Sequence, residues 1–442
     1  MSRPRSPIHT TLSGGVDMDH ETAFQMATSS IRYGPRVSCE VGMDLADMGV
    51  EHVLVVADPN VARLPAVATV LESLDAERVG YTLFDSVRIE PTDESFLAAI
   101  AFARSQPFDA FVAVGGGSTI DTAKVCNLYT THPADFLDYV NAPIGKGKPV
   151  PGPLKPLFAV PTTAGTGSET TGVAIFDLVS LRAKTGIADR RLRPTLGLLD
   201  PSNTRTQPPM VAASTGLDVL THAIESYTAM PFSQRPKPER PLVRPAYQGS
   251  NPISDTWALQ ALRLVAQYLP RAVADADDEE ARGNMLLAAA YGGIGFGNAG
   301  LHLAHGMSYP VSGMVRDYKA PGYEVDHPII PHGMAVVLNA PAVFRFTASG
   351  CPERHLKAAE ALGVDIAGAQ PADAGGILAD CVMSFMQKLG MPNGLSAVGY
   401  THDDIPALVA GTLPQHRVTK LSPRPAGREE LHGIFEDAMT CW

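Results

Sequence analysis

Basic residues are in short supply. Thirty-five Lys and Arg stand against 46 Asp and Glu, leaving a formal charge of −11 over 442 residues. Binding along a phosphate backbone needs clustered cations, so nucleic acid is a poor partner for this chain. Cysteine is sparse as well: Cys39, Cys126, Cys351, Cys381 and Cys441 are scattered, odd in number and without C-x-x-C spacing. That excludes a disulfide framework and fits free thiols in a reducing compartment. No apolar run reaches the ~18 residues that a membrane helix needs. The opening "MSRPRSPIHTTLSGG" has arginines but no apolar stretch behind them, so it does not read as a secretory signal. A cytoplasmic protein is the expectation, with a short organellar presequence and the mitochondrial matrix as the alternative. Internal repeats are absent too. The 45% hydrophobic content is enough for a large core, and the length suggests two or three domains.

Up to about residue 200, short β-rich runs alternate with helical patterns. "HVLVVAD" (52–58), "GYTLFD" (80–85), "DAFVAVGGGS" (109–118) and "PLFAVPTTAG" (156–165) read as strands. Helix-like segments follow the first three. Near-continuous apolar strands between helices predict a parallel sheet covered on both faces. Beyond about residue 205 the texture is helical, as in "MVAASTGLDVLTHAIESY" and "SDTWALQALRLVAQYL". The expected fold class is an α/β dinucleotide-binding domain over 25–205 after an N-terminal tail (1–24), then an all-helical domain over 206–442. The proline-rich "MPFSQRPKPERPLVRPAYQGSNP" (230–252) cannot hold regular structure and reads as an ordered loop or lid.

Two glycine-rich loops carry the nucleotide reading. In "VGGGSTIDTAK", Gly115, Gly116 and Gly117 lie where a strand ends and a helix begins, so the backbone can approach a pyrophosphate. Ser118 is placed to cap that helix, whose N-terminal dipole favours an anion. Alone, this is equally a tight turn without a ligand. A second polar loop, "PTTAGTGSETT", at another strand end tips the balance towards binding in a sheet crevice. Asp58, after the first of these strands, suits a ribose 2′-hydroxyl and would repel a 2′-phosphate, favouring NAD; an Asp-Pro turn is its bland alternative. Gly295 to Gly300 has G-x-G-x-x-G spacing, but "DDEEARGNMLLAAAYGG" before it reads as a helix with acidic residues in its first turn. Without a strand feeding it, that motif is set aside as a nucleotide site.

A metal reading rests on other residues. Asp218 and His222 are four apart and share a helical face. His302, His305 and Tyr309 follow at three and four, which would line one face of a helix, and His332 precedes an apolar run. One Asp and three His suffice for a divalent transition metal with a position open to substrate. A hydrogen-bonded core histidine is the plainer alternative for each alone. The residues themselves support a nucleotide, a metal and hydride transfer.

"GGGSTIDTAK", "PTTAGTGSE", "GLDVLTHAIESY", "NAGLHLAHGMSYP" and "PHGMAVVLNAP", in this order, resemble the iron-containing (group III) alcohol dehydrogenase family. The resemblance covers about residue 25 to the C-terminus. It implies a dehydroquinate-synthase-like fold, with Asp218, His222, His305 and His332 as metal ligands. Fe²⁺ is the first expectation and Zn²⁺ the second. It also implies Asp58 at the ribose and Gly116, Gly117 and Ser118 at the pyrophosphate. Thr162, Thr166, Thr171 and Lys184 are implied along the dinucleotide pocket, and Asp121 and Thr163 of the same motifs join them as candidates. Gly295 to Gly300 resembles the close-packed approach to the ligand helix. One departure stands out: many family members carry another His four residues after the third ligand, and here it is Tyr309. Tyr309 and His302 are candidates for its proton role, beside His305 as a catalytic residue.

Within the family, "SSIRYGPRV", "IGKGKPV", "RPAYQGSNPISD", "GFGNAG", "VDHPIIPHG" and "VGYTHDDIPALVAGTLPQHRVTKLSP" resemble the branch that moves hydride from a hydroxyacid to an oxoacid. The resemblance implies 4-hydroxybutyrate oxidised to succinate semialdehyde, coupled through bound NAD to reduction of 2-oxoglutarate to D-2-hydroxyglutarate, in a homo-oligomer. Such substrates need a cation for their remote carboxylate, and Lys146, Lys148, Arg244, Arg316 and Lys319 are the candidates. An ordinary NAD-dependent alcohol or 4-hydroxybutyrate dehydrogenase is the leading alternative. A lyase on the same fold would need a basic phosphate pocket that the sequence does not offer. A scaffold would have no use for the Asp and His pattern.

Overall fold

The structure, a computed structural model, describes residues 20–181 and 183–442. Its N-terminal part is built on six parallel strands: β1 (Ser30–Tyr33), β2 (His52–Val56), β3 (Gly80–Phe84), β4 (Ala110–Gly115), β5 (Leu157–Pro161) and β8 (Leu196–Leu199). They stand in the order β1-β8-β5-β4-β2-β3. An antiparallel hairpin, β6 (Val173–Leu178) with β7 (Ala183–Ala188), lies apart from this sheet. Alternation along β2 shows why the sheet is buried on both sides. Val53 and Val55 join one apolar cluster with Val67 and Val70 of α2 (Pro65–Ala76); Leu54 and Val56 join another with Ile120 and Ala123. Each valine or leucine fully removed from water contributes roughly 1.5–3 kcal/mol.

All four strands expected from the sequence form; each starts within one residue of its expected start and ends one to four residues before its expected end. One differs in kind: β3 is the edge of the sheet and every residue of it is only half-buried. β1, β8 and the β6–β7 hairpin were not anticipated. Helices α1 (Val41–Asp47), α2, α3 (Asp93–Ala103) and α4 (Gly117–Thr131) cover the sheet, with a single turn, α5 (Phe136–Tyr139), after them.

The C-terminal part is helical. α6 (Pro209–Thr228), α7 (Pro252–Ala274) and α8 (Glu279–Ala299) pack together, followed by α9 (Leu303–Gly313), α10 (His332–Val337) and further helices to Ala438. α8 has the expected acidic start: Asp278 accepts the N–H of Ala281 at 3.0 Å, and Glu279 and Glu280 occupy its first turn. The G-x-G-x-x-G stretch therefore ends a helix. Gly300 takes φ +98° at its close, where a side chain would meet Tyr247 and Leu421.

The proline-rich insert is irregular apart from two single turns, Phe232–Gln234 and Pro241–Val243. Residues 20–27 run against it: the buried Glu21 carboxylate accepts from Arg244 Nε at 2.8 Å, and Gln25 N–H donates to Gln248 at 2.8 Å. Of the expected tail, residues 1–19 lie outside the described residues, and within 20–24 Glu21 is buried and the Phe24 ring meets Phe232.

Candidate functional site

β2, β4 and β5 end on the same edge of the parallel sheet, and their loops open a cleft of ≈ 490 Å³. Asp58, Gly116, Gly117, Ser118, Thr162, Thr163 and Thr166 line it on the sheet side; Asp218 and His332 line it from the helical part. Gly116 is the N-cap of α4, and no side chain caps that helix. Ser118 thus does not do what the sequence suggested. It lies inside the first turn, and its Oγ accepts the N–H of Glu90 at 3.2 Å. An uncapped helix start beside glycines leaves N–H groups for an anion. Gly117 is needed for clearance, because a Cβ there would come within 2.6 Å of Thr166. Asp58 Oδ1 accepts the N–H groups of Asn60 and Val61, each at 3.0 Å, and burial raises its pKa. The carboxylate both caps a turn and faces the cleft.

A second, smaller cavity of ≈ 90 Å³ adjoins the first, sharing Glu90, Gly117, Ser118, Thr166 and His332. His222, His305, Tyr309, Asp121 and Thr171 line it. Three helices meet at this junction. Asp218 and His222 come from α6, His305 from α9 and His332 from the start of α10, and one ligand atom from each lies within 4.8 Å of the others. Asp218 Oδ1 is 3.7, 3.6 and 4.0 Å from Nε2 of His222, His305 and His332. These separations are too long for hydrogen bonds. Two ligands ~2.1 Å from one ion in a tetrahedral shell stand roughly 3.4 Å apart, so the spacing suits a shared cation. Asp218 Oδ1 and His305 Nε2 are buried without hydrogen-bond partners, the condition an ion would relieve.

The surroundings orient these donors. Glu225, buried on α6, bonds His305 Nδ1 through Oε2 and accepts the N–H of Ala304 at 2.6 Å. Burial lowers the pKa of His222 to about 3, against the pull of Asp218, so its ring is neutral and available as a donor. Its ring stacks on Phe296, centroids 4.1 Å apart. Gly333 lets α10 approach α6: a Cβ there would lie 2.2 Å from Ser214 O and 2.8 Å from Asp218 Cβ.

Other expected residues lie elsewhere. His302 is the N-cap of α9, off the helix, with Nδ1 3.0 Å from Glu225 and Nε2 2.9 Å from Thr228 Oγ1; it lines neither cavity. Asp121 is committed to structure, accepting Ser168 Oγ at 2.5 Å and Ile175 N–H at 2.9 Å. Gly115 shapes the turn behind the cleft. Lys184 is buried 2.7 Å from Glu90 and 3.2 Å from Asp177, outside both cavities. None of the five cations expected at the substrate lines either cavity: Lys146 and Lys148 pair with Asp138, Arg244 with Glu21 and Arg316 with Asp404. Sequence reasoning missed Glu90, Glu225, Tyr247 and Arg417. Glu225 lies inside "THAIESY", three residues past His222, where its helical offset was the available signal.

A parallel α/β nucleotide fold joined to a helical four-donor cluster defines a metal-dependent oxidoreductase class. Two family models match: iron-containing alcohol dehydrogenase over residues 28–201, and the C-terminal domain of Fe-containing alcohol dehydrogenases over 246–439. The chain belongs to the iron-containing alcohol dehydrogenase family. It is 61% identical over 421 residues to a mitochondrial hydroxyacid-oxoacid transhydrogenase of Xenopus tropicalis, covering 95% of this chain and 91% of that one. To the Bos taurus protein of the same name it is 60% identical over 419 residues, covering 94% and 90%. A crystal structure of sulfoacetaldehyde reductase from Bifidobacterium kashiwanohense in complex with NAD+ superposes with a TM-score of 0.76 at 26% identity, covering 95% of this chain and 99% of that one.

Proposed function

We propose that the protein is a hydroxyacid–oxoacid transhydrogenase, oxidising 4-hydroxybutyrate to succinate semialdehyde and reducing 2-oxoglutarate to D-2-hydroxyglutarate with one retained NAD. The observation that carries this reading is the meeting of the nucleotide cleft and the four-donor cluster at His332, which lines both cavities. The relatives' shared name supports the choice of reaction.

In this reading, residues 25–205 bind the dinucleotide and residues 206–442 bind metal and substrate. Asp58 takes the adenosine ribose, Gly116, Gly117 and Ser118 take the pyrophosphate, and Thr162, Thr163 and Thr166 line the path between them. Asp218, His222, His305 and His332 hold a divalent ion, with iron the first choice and zinc the second. Such an ion, when bound, polarises the substrate oxygen and lowers the hydroxyl pKa. A dinucleotide held there would supply the hydride acceptor for the alcohol and the hydride donor for the oxoacid, so the two half-reactions would balance with no net oxidant consumed. Glu225 holds His305 with Nε2 facing Asp218, and Phe296 stacks on His222 as part of the small cavity's wall. Tyr309 lies one turn beyond His305 and is the candidate for the proton leaving the hydroxyl. The mitochondrial matrix, rather than the cytoplasm, fits the relatives' names. A homo-oligomer belongs to the same reading, to be checked by light scattering.

The test uses purified protein with no added nucleotide, supplied with 4-hydroxybutyrate and 2-oxoglutarate together. Chiral mass spectrometry follows D-2-hydroxyglutarate, and many turnovers per enzyme are expected. Product formed only when NAD is added, with NADH released at each turn, would identify an ordinary dehydrogenase instead.

A further inference from the structure

We infer that Arg417 is the specificity-determining cation of the active site, taking the carboxylate that both acids carry three carbon–carbon bonds from the reacting carbon. The inference rests on the transhydrogenase reading for its substrates, but the site stands on its own geometry.

Arg417 comes from the short His416–Thr419 helix and reaches into the small cavity lined by His222, His305 and His332. Its Nη2 donates to the Tyr309 hydroxyl at 3.0 Å, and its guanidinium lies over the Tyr247 ring, 4.8 Å from the centroid. Nη1 is buried and has no hydrogen-bond partner. Among the described residues, no Asp or Glu forms an ion pair with it; its contacts are the two tyrosines. A guanidinium cannot shed its proton, so the fold keeps a positive charge in a cavity whose two carboxylates are already engaged, Glu90 with Lys184 and Asp121 with Lys124 and Ser168. Leaving a buried charge unpaired is unfavourable, and a ligand carboxylate is the anion that would offset it. The planar fork suits that group in a way a lysine would not.

Position supports the same conclusion. Tyr309 is four residues after His305, about one helical turn and ~6 Å along α9, and Arg417 is bonded to it. Val173, Leu301 and Phe296 give the same cavity an apolar wall, suited to two methylenes. In 4-hydroxybutyrate the carboxylate is three bonds from the alcohol carbon. In 2-oxoglutarate the distal carboxylate is three bonds from the keto carbon. One fixed cation therefore serves both half-reactions, which lets donor and acceptor exchange in a single site around a retained cofactor. Tyr309, one turn from the ligand histidine, holds Arg417 through its hydroxyl.

The test compares wild type with Arg417→Gln and Arg417→Lys, each checked for native circular dichroism and metal content. Loss of a charge-assisted bond is expected to raise KM for 4-hydroxybutyrate and 2-oxoglutarate about 10- to 100-fold in the Gln variant, with Lys in between. The ratio of kcat/KM for 4-hydroxybutyrate over 1-butanol, measured with added NAD, falls by the same factor. Glutarate binding, followed by calorimetry on the NAD-loaded enzyme, weakens in parallel. Equal losses for 4-hydroxybutyrate and 1-butanol would overturn the assignment, reducing Arg417 to a support for Tyr309. Wild type that binds glutarate through Arg417 yet exchanges no hydride between the two acids would defeat the transhydrogenase reading and leave the carboxylate site standing.

Discussion

Glu225 is hydrogen-bonded to His305 through Nδ1, and the same carboxylate lies 3.0 Å from Nδ1 of His302. The bond turns Nε2 of His305 towards Asp218, 3.6 Å away. Burial opposes ionisation of Glu225, but the two histidines beside it hold its pKa well below the carboxylate range. A carboxylate behind a metal-binding histidine sets its tautomer and raises its basicity. Glu225→Gln is therefore expected to weaken metal affinity by about 10- to 100-fold with the fold intact. Titration against a chelator, read by elemental mass spectrometry, checks this. Unchanged retention in the variant would remove Glu225 from any role at the metal.

Gly333 offers a sharper disruption without touching a donor atom. An added methyl would lie 2.2 Å from a backbone oxygen of α6 and 2.8 Å from Asp218 Cβ, and backbone does not yield as a flexible side chain does. Gly333→Ala should push α10 from α6 and spread His332 from the other three donors. The expected outcome is metal loss and a fall in turnover of at least about 10³-fold, given the several kcal/mol that a Lewis acid supplies. Overpacking costs ~1–3 kcal/mol, so the protein should still fold. A fully metallated Gly333→Ala protein would contradict the close-approach argument.

How much of this was readable beforehand depends on how local each signal is. β2, β4 and β5 announce themselves because fully buried parallel strands are continuous apolar runs. β3 looks the same in sequence, yet it is a half-buried edge, since strand order is a tertiary property. β1 and β8 are four residues each, too short to carry a pattern. Asp218 and His222 were legible as an i,i+4 pair and a site of one Asp and three His as a pattern, whereas the choice of His305 and His332 over His302, a meeting of three helices, came only through family resemblance. Resemblance covered the segment that contains Arg417 but gave that residue no role, and a separate helix carries it into the cavity. Every cation considered from the sequence proved to be outside both cavities. His302 misled because even spacing suggested a helical face, while the helix starts one residue after it.

Asp58 separates two roles by chemistry. Its Oδ1 caps a turn at Asn60 and Val61, and its charge faces the cleft. Asp58→Asn keeps an oxygen for the cap and removes the charge, whereas Asp58→Ala removes both. Both variants should lose about tenfold or more in NAD affinity and gain relative affinity for NADP. Only the Ala variant should also lose stability, by ~1 kcal/mol for the missing cap. Fluorescence titration with each nucleotide and thermal melts check the pair. An unchanged NAD-to-NADP preference in both would remove Asp58 from the ribose.

Glu169 gives a stability prediction with a definite sign. It is 2% exposed, its Oε1 has no hydrogen-bond partner, and burial pushes its pKa up to about 7 although Lys124 pulls the other way. The unfolded chain has the ordinary value of 4.5, so between these limits the native state binds the extra proton. Stability from this group is then present at low pH and is lost as pH rises through that window, amounting to about 3 kcal/mol by pH 8. Glu169→Gln keeps the shape and cannot ionise. Relative to wild type it should be near neutral at pH 5 and clearly stabilised at pH 8, because other titrating groups cancel in the difference. Paired thermal melts across that range read the effect directly. A difference that stays flat with pH, or a variant that melts lower at pH 8, would mean that the ionised carboxylate finds a partner in the fold.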